Sequence, residues 1–450
     1  MIGNFLKKLF GVKARYDAAA HTPQNAKRWQ GSDFLLPKDL LNRDTRRTLK
    51  SRARYECQNV AWLYGLILQV ASDIVSTGPR LQMPGHPDLE TLWDEWAAAV
   101  KLTELLRTMC ITKSRDGEAF CQITTRPGLD HPVKLFPLLI DSDRVQGNDA
   151  ASEYDADGIR LDRFLEPVSY QVAKSLAVPD GFYTVMETFM CHLFRKEMPE
   201  QFRGVSEIAP ALPSIAMLRA YTIATLNKLE ISSCVAGVLE PDVSVIDPDS
   251  IADPPFSPCD VPARSWITLP SGFKSKQFQT ASPTDSQNSF ALQVKGEVGR
   301  CLLAPKIIVL GDSSDANYSS GRLDLQSYDK GIGVERQRIQ SAVLEKLFAA
   351  FIREAYPNQP APEHFWYWES RGYINPLQEA NAEKVRLETG TSTFQSICEE
   401  RGKDWEVVMR QNYEREKYNR ELAREFGFTL ANPPVEPTAE PSPGDGEDKQ

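Results

Sequence analysis

The sequence predicts an α+β chain, on three observations. Apolar residues recur at helical spacing over long stretches, as in Phe290, Val294, Val298 and Leu302, and again in Ile332, Ile339, Val343, Leu347 and Phe351. Residues 132–202 instead carry short β-rich runs separated by Gly, Pro, Asp and Asn, the pattern of a small antiparallel sheet. The chain of 450 residues is 41% hydrophobic and 25% charged, ordinary for a globular protein and long enough for two or three domains.

The elements follow in order. Met1–Asp17 alternates apolar and basic residues too quickly for a signal peptide and reads as a short amphipathic arm or a frayed end. Residues 15–33 continue as an irregular arm in which Trp29 is a packing anchor rather than a base-stacking residue. Residues 43–78 form one helical unit. It begins with the basic run Thr45–Arg54, becomes apolar from Tyr55 to Ile74 and stops at Gly78-Pro79. The basic run has two readings, a phosphate contact and a solvated or intersubunit face, and the second is preferred. Residues 89–113 are helical, with Trp93 and Trp96 on one face. Asp116-Gly117 then turns the chain into a strand at 120–124. Further strands are expected at 133–136, 158–161, 168–172 and 190–194.

A helix from after Pro213 through Leu229 is apolar nearly all round, so burial on several sides is expected of it. Residues 237–283 carry eight prolines and the acidic positions Asp242, Asp247, Asp249 and Asp253, with strand-like pieces at 243–246 and 266–269. Helix 285–303 leads to a polar loop, for which Asn317, Ser319 and Ser320 are candidate N-caps. The next helix, 319–356, contains Gly331 and Gly333, each weakening it by roughly 1 kcal/mol relative to Ala. An aromatic strand at 365–374 precedes helices at 376–389, 392–401 and 404–426. The acidic, Pro-rich stretch 432–450 is expected to be disordered.

Composition excludes several function classes. No run approaches the roughly 18 apolar residues of a membrane span. The net charge of −9 is not that of a conventional nucleic-acid-binding domain, although DNA can pass a surface that does not grip it. The eight cysteines form no C-x-x-C pair and read as free thiols in a reducing cytosol. The five histidines fall in no ligand spacing, and no G-x-x-x-x-G-K-[ST] phosphate loop occurs. No cofactor is expected. Asp116 and Glu118 are read as turn and strand edge rather than an acid–base pair, and Asp141 and Asp143 as a solvated turn rather than a metal site. Gly311-Asp312-Ser313 also matches an esterase block weakly. That leaves one rival, a hydrolase using Ser313 with a distant His, and a second, a scaffolding or adaptor protein that closes no ring.

The segment Gly311-Asp312-Ser313 followed by Asn317-Tyr318-Ser319-Ser320-x-Arg322 resembles the signature of lambda-type portal proteins of tailed double-stranded DNA bacteriophages. So do, in the family's order, Arg15-Tyr16-Asp17-Ala18-Ala19 with Arg28-Trp29, RARYECQN at 52–59 with STGPRLQ at 76–82, and Asp116-Gly117-Glu118-Ala119-Phe120. Asp141–Val145, Arg203-Gly204-Val205 and the run from Asn375-Pro376 through Lys403-Asp404 continue the series. The family's Gly-Val-Pro-like approach to the loop is here Leu302-Leu303-Ala304-Pro305, which keeps the proline and lacks the glycine.

The resemblance implies a ring-forming portal fold. Residues 1–204 would be the arm and wing, 205–236 the first stem helix, 237–283 the clip and 284–304 the second stem helix. Residues 305–320 would be the tunnel loop, 321–374 a long kinked helix and its return to the wing, 375–430 a helical crown, and 431–450 the tail. Lys306, Gly311, Asp312, Ser313, Asp315, Asn317, Tyr318 and Ser319 would face the DNA channel, with Lys295 and Arg300 as further basic candidates. Gly331 and Gly333 are the expected kink. Asp247, Asp249, Asp253 and Trp266 would lie on the clip. The implied role is non-enzymatic: a ring of twelve copies at the capsid vertex, assembled in the bacterial cytoplasm and passing double-stranded DNA. The implied partners are the terminase large subunit, major capsid and scaffold proteins and head-completion connectors, with no membrane.

Overall fold

The chain folds as two units in a computed structural model that describes residues 27, 42–147, 154–175, 181–234, 238–241, 273–276, 285–314, 317–357, 359–369, 371, 376–401 and 404–427. The first unit comprises Met1–Ala61, Thr112–Phe120 and Ile140–Thr284, the second Trp62–Ile111, Cys121–Leu139 and Asp285–Gln450.

The helical stretch 43–78 is two helices, α1 (Arg43–Asn59) and α2 (Ala61–Val75), because Val60 is extended at φ −121° and ψ 99°. After β1 (Arg80–Gln82), the expected helix 89–113 is likewise split into α3 (Pro87–Ala99) and α4 (Leu102–Asp116). The break falls at Lys101, whose φ of 53° cannot continue a right-handed helix. Gly117, at φ 99°, turns the chain into β2 (Glu118–Thr125). Then come β3 (Leu135–Ile140), β4 (Ile159–Leu161), β5 (Pro167–Ala173), β6 (Phe182–Met186) and β7 (Met190–Phe194). β6 was not expected. Its residues Phe182, Tyr183, Thr184 and Val185 are strand formers, so the signal was present in the sequence although only Val185 is buried.

In the first unit, β4, β5 and β6 form an antiparallel sheet in which Tyr170 pairs with Ile159 on one side and Val185 on the other. Its buried face joins Phe120, Ile140, Val145, Val172 and Met190 in one apolar core. α5 (Leu212–Cys234) follows. Ile215 and Leu218 are buried, but Met217 is 72%, Ile223 49% and Leu226 59% exposed. The expectation that this helix is buried on several sides therefore fails within one chain, where only its first turns are covered. The segment 237–283 is closed by β8 (Val238–Pro241) against β9 (Phe273–Lys276), antiparallel, with Val238 opposite Lys276. The strand-like pieces at 243–246 and 266–269 lie outside the described residues.

In the second unit, α6 (Asp285–Cys301) is followed by a one-turn helix α7 (Lys306–Leu310) and by α8 (Tyr318–Ile339). α8 continues through a π-helical segment, Gln340–Leu344, into α9 (Glu345–Ala355). Gly331 and Gly333 lie inside the regular part of α8. The departure from α-helical hydrogen bonding occurs later, at the π segment, a common site of irregularity in long helices. Trp93 packs on Trp96 at 4.8 Å, on Phe351 at 5.0 Å and on Trp366 at 5.4 Å between ring centroids. Edge and tilted contacts of this kind add to the area that the rings bury. Trp366 lies on β10 (Phe365–Tyr367), which pairs antiparallel with β1 in the register Leu81–Trp366. The aromatic strand expected over 365–374 is thus three residues long. Helices α10 (Pro376–Glu388), α11 (Phe394–Glu400) and α12 (Trp405–Phe426) complete the described chain. Asp404 caps α12 by accepting from the Glu406 and Val407 amides, and Gly427 ends it at φ 67°.

Candidate functional site

The loop region is built by one close approach and two caps. A Cβ on Gly299 would lie 2.2 Å from Val309 Cγ2, so glycine is what lets α7 fold back against the end of α6. The chain leaves α6 through Leu303 at φ 56°, with the Ala304 amide donating to the Gly299 carbonyl at 2.9 Å. The turn that replaces the expected glycine-containing approach is thus carried by a leucine in a left-handed conformation, which glycine adopts at lower cost. Pro305 opens α7, and Gly311 closes it at φ 63°. The part expected as loop between 306 and 310 is therefore helical.

Asp312 Oδ1 accepts from the Ser314 amide at 2.9 Å, and that bond lowers the carboxyl's pKa. Asn317 Oδ1 accepts from the Ser320 amide at 2.8 Å while Ser320 Oγ accepts from the Asn317 amide at 3.2 Å. This reciprocal pair is a capping box, and it selects Asn317 among the three candidate N-caps.

Lys306, Gly311, Asp312, Ser313, Asn317 and Ser319 are all exposed. Asp315, the Tyr318 side chain and the clip positions Asp247, Asp249, Asp253 and Trp266 lie outside the described residues. Lys295 and Arg300 do not share a face, since five residues turn a helix through about 140° beyond a full turn. The Lys295 ammonium sits 5.9 Å from the Trp62 ring centroid, while Arg300 is exposed. His364, the histidine that the hydrolase reading needs, has Nε2 3.0 Å from Glu345 Oε2 and Nδ1 3.4 Å from the Pro362 carbonyl. Both ring nitrogens are thus taken by its own neighbours.

A second constellation, in the first unit, joins segments far apart in sequence. Arg46, Lys50 and Arg54 fall at four-residue steps on one face of α1. Arg46 reaches Asp157 and, at 3.4 Å, Glu118. Lys50 Nζ donates to Ser142 Oγ at 2.7 Å and Asp143 Oδ1 at 2.9 Å. Arg54 Nη2 donates to Asp116 at 2.7 Å and Asp141 at 3.1 Å. Arg203 meets Glu118 with two bonds, Nε at 2.9 Å and Nη2 at 2.7 Å, and the Gly204 amide adds a third at 3.0 Å.

Glu118 is fully buried. Burial alone would raise its pKa, but Arg203, the His192 bond and Arg46 outweigh it and hold the carboxyl well below the ordinary range. Burial and repulsion by Arg203 push Arg46 down to about 10, so both partners are charged at neutral pH. The backbones cross in van der Waals contact. A Cβ on Gly204 would lie 2.1 Å from the Gly117 carbonyl oxygen, and one on Gly117 2.3 Å from the Val205 carbonyl carbon.

These contacts correct three expectations. The basic run is neither a phosphate contact nor a solvated face along Arg46, Lys50 and Arg54. Asp116 and Glu118 do flank the turn into β2, but both side chains are buried and ion-paired. Asp141 and Asp143 form a turn, with Asp141 capping Ser142–Arg144, yet both are ion-paired. The four-residue spacing of the cations was the available signal, because such a stripe on a helix otherwise apolar at Ala53 and Cys57 needs buried carboxylates opposite. Among the described residues, six cysteines form no disulfide. No group of three or more metal-ligating side chains occurs among them.

No curated protein is significantly similar to the chain. Residues 23–336 match the family described as phage portal protein, lambda family. Among solved structures, a chain from the virion of a native gene transfer agent particle is similar at 15% identity, over 82% of this chain and 94% of that chain, with a TM-score of 0.49. A chain from the neck of the native gene transfer agent particle, computed with C12 symmetry, has 14% identity over 76% of this chain and 89% of that one, at 0.49. An HK97 family phage portal protein from Corynebacterium diphtheriae has 10% identity over 76% of this chain and 98% of that one, at 0.29.

The matched span runs from the arm through the loop and most of α8, so it takes in both constellations and defines a structural component of a phage head rather than an enzyme. The chain belongs to the lambda family of phage portal proteins. It is a virion protein of the capsid vertex, where copies form the ring around the channel for double-stranded DNA.

Proposed function

We propose that twelve copies close the ring, with α5 and α6 as stem, residues 237–283 as clip, 305–320 as tunnel loop and 375–430 as crown. The observation that carries this reading is α5. Beyond Arg219, which is held to Glu56 by two 3.0 Å bonds, no described side chain of α5 is buried, and Ile223 and Leu226 are bare. A helix of 23 residues with an uncovered apolar side fits a wall between copies of itself.

Lys295, Arg300 and Lys306 are the cations that meet phosphates at intervals. Their sparseness suits a duplex that must slide, since each phosphate neutralised adds to the grip. The clip, with Asp247, Asp249, Asp253 and Trp266, takes the terminase large subunit during filling and head-completion proteins afterwards. Capsid and scaffold proteins meet the outside of the ring.

Negative-stain electron microscopy with native mass spectrometry tests the ring directly. Closed rings of twelve with a duplex-wide hole are expected, and monomers or dimers at every concentration, with scaffold protein present, would overturn it. Deleting 312–317 should leave the ring intact and reduce DNA-filled heads. Heads filled at the normal level would end the tunnel-loop assignment.

A further inference from the structure

The long helix that follows the loop carries one residue more than its packing needs. Its buried residues fall in two sets, Tyr328, Ile332 and Ile339 on α8 and Leu347, Phe348, Phe351 and Ile352 on α9. On an unbroken α-helix, at about 100° per residue, the centres of the two sets would lie roughly 150° apart. Between them runs the π segment Gln340–Leu344, after which the Glu345 amide bonds to the Gln340 carbonyl, five residues back. A π turn holds one residue more than an α turn, which takes back about 100° and leaves roughly 50° between the sets, so both face one side. The turn is anchored before and after. Arg336 donates to the last carbonyls of α2, at 2.9 Å to Ile74 and 3.2 Å to Asp73. After the turn, the Glu345 carboxylate gathers three donors. Trp366 Nε1 reaches Oε1 at 2.9 Å, His364 Nε2 reaches Oε2 at 3.0 Å and Gln340 Nε2 reaches Oε1 at 3.4 Å. The last of these spans the π turn from its first residue. The other two tie it to Trp366 on β10 and to His364 just before that strand, whose ring also stacks on Phe348 at 3.8 Å between centroids.

We propose that the π turn is a one-residue insert that serves as the joint of the long helix, and that Glu345 is the latch that keeps it shut. Glu345 is thus a positioning residue for the loop at the far end of α8. The proposal deepens the tunnel-loop reading and rests on it only for its consequence in packaging. The physical reason is that burial does not require the insert. An all-α helix one residue shorter at this point would bring the same two sets to the same side with unbroken backbone bonding. What the extra residue adds is a turn outside the regular i→i−4 ladder, a feature frequent at functional sites. Its closure is then supplied by a side chain that links the two ends of the turn and holds them to β10. Hydrogen bonds to a charged acceptor are the stronger kind, so one carboxylate can hold a turn whose backbone alone holds it less well.

The test is amide hydrogen exchange and thermal melting of the full-length assembled protein, with two changes made singly and together. Glu345→Ala opens the latch, and exchange of the amides at 342–345 should rise about tenfold. Deleting Ser341, which is exposed, removes the insert. That variant should melt at or above the wild-type temperature, with slower exchange at 342–345. In its background Glu345→Ala should change exchange by less than about twofold, because no joint is left to open. Deleting Ala349, equally exposed but inside regular α9, turns Phe351 and Ile352 away from Leu347 and Phe348 and should cost the fold. A Ser341 deletion as damaging as the Ala349 deletion would overturn the insert. Unchanged exchange in Glu345→Ala, or an equal rise with and without Ser341, would overturn the latch. Slower exchange in the Ser341 deletion with fewer DNA-filled heads supports both the joint and the tunnel-loop reading. Slower exchange with normally filled heads upholds the joint and overturns its service to the loop.

Discussion

Arg203 and Glu118 show what the polar junction of the first unit demands of single residues. Breaking a buried pair by neutralising one partner leaves the other charge unpaired, a loss of about 3–5 kcal/mol. Glu118→Gln should therefore lower the unfolding free energy by that amount at pH 7, read as a lower midpoint of chemical denaturation at unchanged slope, and an unchanged midpoint would contradict the assignment. The sign of the pH effect follows from the depressed carboxyl. Its contribution is complete above the ordinary Glu value of 4.5 and is lost as the pH falls below it toward the lower folded value. Glu207, buried but held low by Lys113 at 2.6 Å, and Asp143, held low by Lys50, act in the same direction. Wild-type stability should thus fall steeply between about pH 4.5 and lower values, and Glu118→Gln should flatten the fall. The glycines at the same junction admit no substitute. Gly204→Ala puts a methyl into a carbonyl oxygen of the neighbouring backbone, and its expected signature is loss of soluble protein on expression.

At the scale of elements, α8 carries the informative contrasts. Its start is fixed by the Asn317–Ser320 capping box, so Asn317→Ala should cost about 1 kcal/mol of helix stability while Asn317→Asp costs little. Far-ultraviolet circular dichroism during thermal melting reads both. Gly333 is exposed, and a Cβ there would meet nothing within 4 Å. Gly333→Ala should therefore stabilise the helix by about 1 kcal/mol. If packaging falls while the melting temperature rises, the glycine is retained for bending. If packaging is unchanged, the π segment at 340–344 is left as the flexible point. Helix α5 shows the opposite kind of incompleteness, with a firm root at Ile215, Leu218 and Arg219 and an apolar upper part that its own chain leaves bare.

For the whole molecule, that bare surface separates folding from assembly. Replacing Ile223 and Leu226 by Glu places charges where copies should meet and nowhere inside the chain's own core. The double variant should keep the monomer's melting transition and lose ring closure. Size-exclusion chromatography with native mass spectrometry reads the outcome, and intact rings would show that α5 does not lie between copies. The buried carboxylate cluster predicts the complementary behaviour. Because it lies inside one chain, its variants should lose the fold and the ring together.

What the residues alone determined was local. Apolar periodicity located the helices around 290–302 and 332–351, turn chemistry located the sheet region, and ordered motifs located the family. Residue type and spacing control these features directly, so they can be read without neighbours. The breaks at Val60 and Lys101 were missed because both sit in runs of good helix formers, and only packing makes a left-handed or extended residue worth its cost there. The pairing of β1 with β10 was equally illegible, since a three-residue strand has no pattern of its own. The tertiary structure alone decided the fate of the charges. Arg46, Lys50 and Arg54 read as a surface because charged residues usually are one. Their burial depends on Asp116, Glu118, Asp141, Asp143 and Asp157 arriving opposite them from distant segments. Coulombic pairing acts through space, and no spacing along the chain encodes which carboxylate meets which cation.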